Sequence, residues 1–123
     1  MASYNGSQLF TIPRPIRIKD GVNSEIITAQ KTLTYKDSQV QMISPHTAGV
    51  KTIKLPALKD GAYFYIYNKD TVSTLTVKTP ADTTLMTLAA NDPVTAAASG
   101  SFIWSDGTKW DGVQITCSIF HAA

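Results

Sequence analysis

Apolar residues recur at every second position through most of this chain, the period of a half-buried β-strand. Ala62, Phe64 and Ile66 alternate with Tyr63, Tyr65 and Tyr67, which predicts a strand apolar on one face and aromatic on the other. Val113, Ile115, Cys117 and Ile119 alternate with Gln114, Thr116 and Ser118. Shorter runs repeat the pattern: Val40 and Met42, Ile53 and Leu55, Leu75 and Val77, Phe102 and Trp104, each set between polar neighbours. Threonine is abundant in these runs, and its branched β-carbon suits a pleated, half-exposed surface. Helical periodicity is nearly absent. The apolar phase of the strands predicts a core of Leu55, Phe64, Ile66, Leu75, Val77, Phe102, Trp104, Ile115 and Ile119.

Turn signals fall between the runs. Asp20-Gly21, Asp60-Gly61, Asp106-Gly107 and Asp111-Gly112 are dipeptides that tolerate positive φ. Pro45, Pro56, Pro80 and Pro93 each stand at the end of a run, where a missing amide donor costs least. The spacing predicts an all-β domain over residues 20–123, an antiparallel sandwich or barrel. The stretch from Leu85 to Ser99 fits a loop, a short helical turn or an edge strand equally well. No internal repeat is evident.

Residues 1–19 differ in kind. In Ile12-Pro13-Arg14-Pro15-Ile16 the prolines lack amide donors and force extended neighbours, so the segment cannot be a central strand. It reads as a stiff, extended N-terminal arm. Both arginines of the chain, Arg14 and Arg17, lie there with Lys19, and no acid precedes Asp20. A guanidinium is the better group for fixed ion pairs at interfaces. Ile12, Arg14, Ile16, Arg17 and Lys19 are therefore the candidate partner-binding residues of the arm, against the plainer reading of a solvated terminus.

Composition narrows the function. Charged residues make up 16% of the chain, well under the usual quarter, while the apolar fraction of 43% is ordinary. That balance excludes disorder and leaves much uncharged surface for a partner to cover. A net charge of +2 is too small for a general nucleic-acid binder. No apolar run approaches membrane-spanning length, and the first residues lack the pattern of a signal peptide, so a soluble cytoplasmic product is expected.

The chemistry of catalysis is not apparent. His46 and His121 are far apart in sequence, and the single cysteine, Cys117, sits on the apolar phase of its strand. A calcium site at Asp106 and Asp111 would lack the dense oxygen pattern that calcium needs. There is no nucleophile elbow and no glycine-rich phosphate loop. The chain is expected to be a non-enzyme with no catalytic residue, metal or cofactor. The row Tyr63, Tyr65, Tyr67 remains, open to three readings: a second core layer, a subunit interface, or a stacking platform for sugars or bases.

One resemblance bears on these choices. Thr32-Leu33-Thr34, Lys36-Asp37-Ser38, Ile53-Lys54-Leu55-Pro56-Ala57, Phe64-Tyr65-Ile66-Tyr67-Asn68, Leu75-Thr76-Val77 and Ser105-Asp106-Gly107-Thr108-Lys109-Trp110 follow in that order. In that order they resemble small tailed-phage virion proteins, the capsid decoration (cement) proteins and tail-fibre modules. The basic arm and the run from Val113 depart from the pattern. The resemblance implies a homo-oligomer, most often a trimer, made in a host cytoplasm and carried on a virion. Its partner would be the major capsid protein or other virion subunits. The alternative within the same class is a receptor- or carbohydrate-binding module of a tail fibre.

Overall fold

The computed structural model describes residues 21–45, 51–91 and 97–116. The arm, His46, Cys117, Ile119 and His121 lie outside the described residues. Among the described residues there is no helix and there are nine strands. They are β1 (Val22–Ile27), β2 (Lys31–Thr32), β3 (Val40–Pro45), β4 (Thr52–Lys54), β5 (Tyr63–Asn68), β6 (Leu75–Lys78), β7 (Thr84–Leu88), β8 (Gly100–Ser105) and β9 (Trp110–Ile115). β1-β3-β5-β8-β9 form one sheet and β2-β4-β6-β7 the other.

The chain is all-β, but it is not antiparallel as the pattern suggested. β1, β3 and β5 are parallel neighbours, as are β2, β4 and β6. From β1 to β6 the chain coils, crossing to the other sheet after every strand and returning one place further along. Parallel neighbours need a crossover connection; here each crossover contains a strand of the opposite sheet. Side chains alternate with period two in either orientation, so hydropathy could not tell the two apart. The coil's register steps, Val22 to Val40 to Tyr65 and Lys31 to Ile53 to Val77, are unequal in length, which leaves no fixed repeat in the sequence. The winding ends when β7 turns back along β6 and when β8 and β9 add to β5, all antiparallel.

One core lies between the sheets. Ile43, Phe64, Ile66 and Ile103 enter it from the larger sheet, and Ile53, Leu75, Val77 and Leu88 from the smaller. Leu55, Phe64, Ile66, Leu75 and Val77 are buried as the pattern predicted. Strand β8 reverses its predicted phase. Ile103 points inward between Ser101 and Ser105, while Phe102 is 39% exposed and Trp104 half-buried on the opposite side. Both phases of this strand carry apolar side chains, and the small inward serines are satisfied locally. The Ser101 hydroxyl donates to the Ile66 carbonyl at 2.8 Å, and Ser105 Oγ accepts from the Gly107 amide. Ile115 is half-buried on the same outer side as Phe102. Gln41 takes an inward position in β3, held by a bond to Ser38 O and one from Asn23.

Asp106-Gly107 forms the turn between β8 and β9, with Gly107 at φ 91° and Asp106 Oδ1 accepting from the Thr108 and Lys109 amides. Asp111-Gly112, expected to be a turn, lies within β9. Its glycine answers a close approach: an added Cβ would sit 2.6 Å from Met86 Cε, 3.1 Å from Ile103 Cγ1 and 3.2 Å from the Phe102 carbonyl. Met86 can swing aside, whereas Ile103 and the β8 backbone cannot. Gly112→Ala should therefore destabilise by about 1–3 kcal/mol through overpacking. Urea unfolding checks this by a lower midpoint at unchanged slope.

At the start of the coil, Glu25 of β1 meets Lys31 of β2 at 2.6 Å. The bond from Lys31 holds the Glu25 carboxyl below its ordinary value of 4.5, with Asn23 adding to the effect against partial burial. A depressed carboxylate stabilises the fold above that ordinary value, and the contribution is lost as pH falls through the folded pKa. Lys31→Gln should return the Glu25 midpoint toward 4.5, read by carboxyl NMR titration. An unchanged midpoint would refute the assignment.

Candidate interaction face

The outward side of the five-stranded sheet brings together the residues singled out by the tyrosine row and others the pattern had placed in the core. Cross-strand register sets Tyr63 opposite Trp104, Tyr65 opposite Phe102 and Tyr67 opposite Gly100. Parallel pairing adds Val40 beside Tyr65 and Met42 beside Tyr67. β1 contributes Val22, Ser24 and Ile26, and β9 contributes Asp111, Val113 and Ile115. Period-two alternation makes all of these share one side.

The aromatic rings form a connected group. Tyr63 and Phe102 have centroids 5.9 Å apart, and Phe102 and Trp104 5.8 Å. Those separations suit favourable ring contacts. The three tyrosines do not share one environment. Tyr63 is exposed, Tyr65 half-buried, and Tyr67 buried with its hydroxyl donating to Asn91 Oδ1 at 3.1 Å. Val22 at 53%, Ile26 at 66% and Val113 at 49% leave the margins of the face open to solvent. Asp111 is the single charged side chain among its strand positions, with Lys109 3.9 Å away. From the rim, Lys69 Nζ donates to Ser24 Oγ at 2.6 Å. This side is thus aliphatic at its edges and aromatic toward its middle, and it is buried at its Tyr67–Gly100 end.

Sequence reasoning found the β5 row but missed its extension across β8. The signal was there, because Phe102 and Trp104 have the same spacing as Tyr63 and Tyr65. Assigning β8 to the core hid it.

A concavity lies among the loops at the end of the sheets where β8 turns into β9. It measures about 460 Å³ and is lined by Ala57, Leu58, Pro80 and Trp110 among others. The Trp110 indole N–H donates to Pro56 O at 3.1 Å, which fixes the ring as a floor only 5% exposed. The groove can accept an apolar group, but it presents no open aromatic plane.

Among the described residues no three His, Cys, Asp or Glu side chains converge as metal ligands. Asp106 is occupied by its own turn, where bonds from Thr108 and Lys109 hold its carboxyl below the usual value. Asp70 is pushed up by partial burial, but backbone N–H bonds from Ser73 and Val72 outweigh that and hold it low. Both carboxylates close loops. No protein family, curated protein or solved structure matches the chain.

Proposed function

We propose that this chain is a structural subunit of a phage virion, attached to the outer surface of the capsid and stabilising it. The observation that carries the reading is the exposed apolar area of Val22, Ile26, Tyr63, Phe102 and Val113 on one nearly uncharged side of the five-stranded sheet, since large apolar patches are seldom left open on monomers. The ordered motifs from Thr32 to Trp110, which resemble small tailed-phage virion proteins, point the same way. A shell presents many identical attachment points, so contacts of modest strength suffice when several copies act together. In this reading the subunit is a homo-oligomer, a trimer, made in the host cytoplasm and carried on the virion. It needs no cofactor and acts on no nucleic acid or membrane.

Contact with the shell is assigned to the arm. Arg14 and Arg17 would pair with acidic groups in bidentate fashion, Ile12 and Ile16 would supply apolar area, and Lys19 would add charge. The prolines stiffen the segment, so it loses less entropy on binding than a flexible tail. Purified protein mixed with empty capsids should co-sediment at a fixed ratio and appear as regular density on imaged particles. Removing residues 2 to 19 should abolish capture and leave the β-sheet circular dichroism intact. Unchanged capture would remove the arm from the role, and failure of the full chain to bind any capsid would remove the capsid reading.

The exposed Tyr63–Phe102 ring pair favours one second reading, a tail-fibre module that stacks on sugars. A saturable signal on a glycan array, lost in Tyr63→Ala, would select it over decoration.

A further inference from the structure

The geometry points to the free edge of β1 as a docking edge for a second copy of this chain, whose own β1 adds antiparallel about a two-fold axis at Ser24. This goes beyond the reading above and stands without it, because it uses the backbone of one strand and no virion component. Where copies already form a trimer, the edge joins one trimer to the next.

Which way the β1 backbone faces follows from its neighbours. The Tyr65 amide donates to Gln39 O and the Lys69 amide to Ile43 O, both at 2.7 Å. Gln39, Gln41 and Ile43 therefore turn their backbone groups toward β5, and Val40, Met42 and Ser44 turn theirs toward β1. With Val22 beside Val40 in a parallel ladder, those groups bond the residues that flank each partner, Gly21, Asn23, Glu25 and Ile27. The amides and carbonyls of Val22, Ser24 and Ile26 point away from the sheet. Among the described residues nothing bonds to them.

The other sheet edges are guarded in ways that discourage added strands. β2 is two residues long. β7 pairs with β6 through a register shift at Val77 and Lys78. β9 is held against β7, with Gln114 Nε2 donating to Thr87 O at 2.8 Å and Gly112 beside Met86. β1 runs six residues in unbroken register with β3, without proline or lysine. Its Val22 and Ile26 side chains stand 53% and 66% exposed.

The strand itself selects the occupant. Val22-Asn23-Ser24-Glu25-Ile26 reads aliphatic, polar, small, polar, aliphatic in either direction. Antiparallel pairing about Ser24 sets Val22 against Ile26, Ser24 against Ser24 and Asn23 against Glu25. The outward-facing residues then form the hydrogen-bonded pairs, so each of their free amides and carbonyls finds a partner. Glu25 meets no like charge and keeps its own Lys31 at 2.6 Å. Slipping the copies to an axis at Glu25 would set that carboxylate against its own copy, which disfavours the alternative register. Lys69, which reaches Ser24 Oγ at 2.6 Å, is brought near the Lys69 of the second copy. Both stems are exposed and long enough to carry the ammonium groups out into water.

The test is amide exchange on the full chain, read by NMR at near-millimolar and at low micromolar concentration. In a single chain the Asn23 and Glu25 amides are bonded to β3, while those of Val22, Ser24 and Ile26 face water. At high concentration exchange at these outward amides should slow by roughly tenfold or more and recover on dilution. An oligomer built through another surface leaves them fast, and fast exchange at both concentrations would overturn the inference. Ser24→Pro removes an outward donor and spares the bonds to β3, as edge strands allow. It should cancel the protection of Val22 and Ile26 together with any rise in sedimented mass with concentration; protection that survives it would refute the edge contact. If Ser24→Pro fails to fold, charge exchange serves instead. Val22→Glu or Ile26→Lys alone should weaken the protection, and the double variant should restore it, because each glutamate then faces a lysine of the other copy. No restoration would refute the two-fold register. Capsid capture is scored separately. Protection without capture leaves this inference standing and ends the capsid reading, while capture without protection does the reverse.

Discussion

Phe64→Ala is expected to cost about 3–5 kcal/mol of stability, the range for truncating a core aromatic. Phe64 is 2% exposed and is the second residue of β5, the central strand of its sheet, to which β3 and β8 both pair. Its ring lies 6.1 Å from that of Trp110, and Ile103 faces it across the ladder. Trp110 is tied to Pro56 through its indole N–H, and Ile103 is fixed by strand pairing on both sides. The neighbours therefore have little freedom to collapse into the space, so the cavity contribution adds to the lost transfer energy. Chemical denaturation checks it through a large fall in midpoint. A loss under ~1 kcal/mol would mean that the site relaxes, in conflict with the packing around it.

Asn68→Asp is expected to be comparably damaging at neutral pH and to recover in acid. Asn68 is fully buried at the end of β5. Its side-chain N–H groups donate to Ser73 O at 2.8 Å and Ala89 O at 3.0 Å, while Oδ1 accepts from the Asp70 amide at 3.0 Å. One carboxamide thus joins β5, the loop before β6 and the end of β7. Aspartate would set a charged oxygen against two carbonyls at a fully buried position. An uncompensated buried charge costs about 3–5 kcal/mol. The folded state would hold the new carboxyl protonated to a higher pH than the unfolded chain does. Its folded pKa is then raised, and the loss grows as pH rises through the range above the unfolded value. Unfolding measured at pH 7 and again near pH 5 should show the variant regaining part of its deficit relative to the parent. A deficit independent of pH would point to lost donors alone and exclude a buried charge.

Local pattern reached far in this protein because its strands are short and most are buried on one face only. Leu55, Phe64, Ile66, Leu75 and Val77 could be placed in the core from alternation alone, since in each strand one phase is plainly the more apolar. The turn at Asp106-Gly107 was legible for a similar reason, as few residue pairs accept its backbone angles. Alternation failed where both phases were apolar. In β8, Phe102 and Trp104 present two large aromatic side chains against the single Ile103, yet Ile103 is the buried one, because its neighbour across the ladder is Phe64. Pairing with β5 decides which side of β8 faces the core, and pairing is a property of the assembled sheet. The tyrosine row was visible from the sequence as a row, whereas its continuation into Phe102 and Trp104 required the register. Strand direction was decided later still. A period of two is the same in parallel and antiparallel ladders, so only the three-dimensional path from β1 through β6, crossing between sheets at every strand, could make their neighbours parallel.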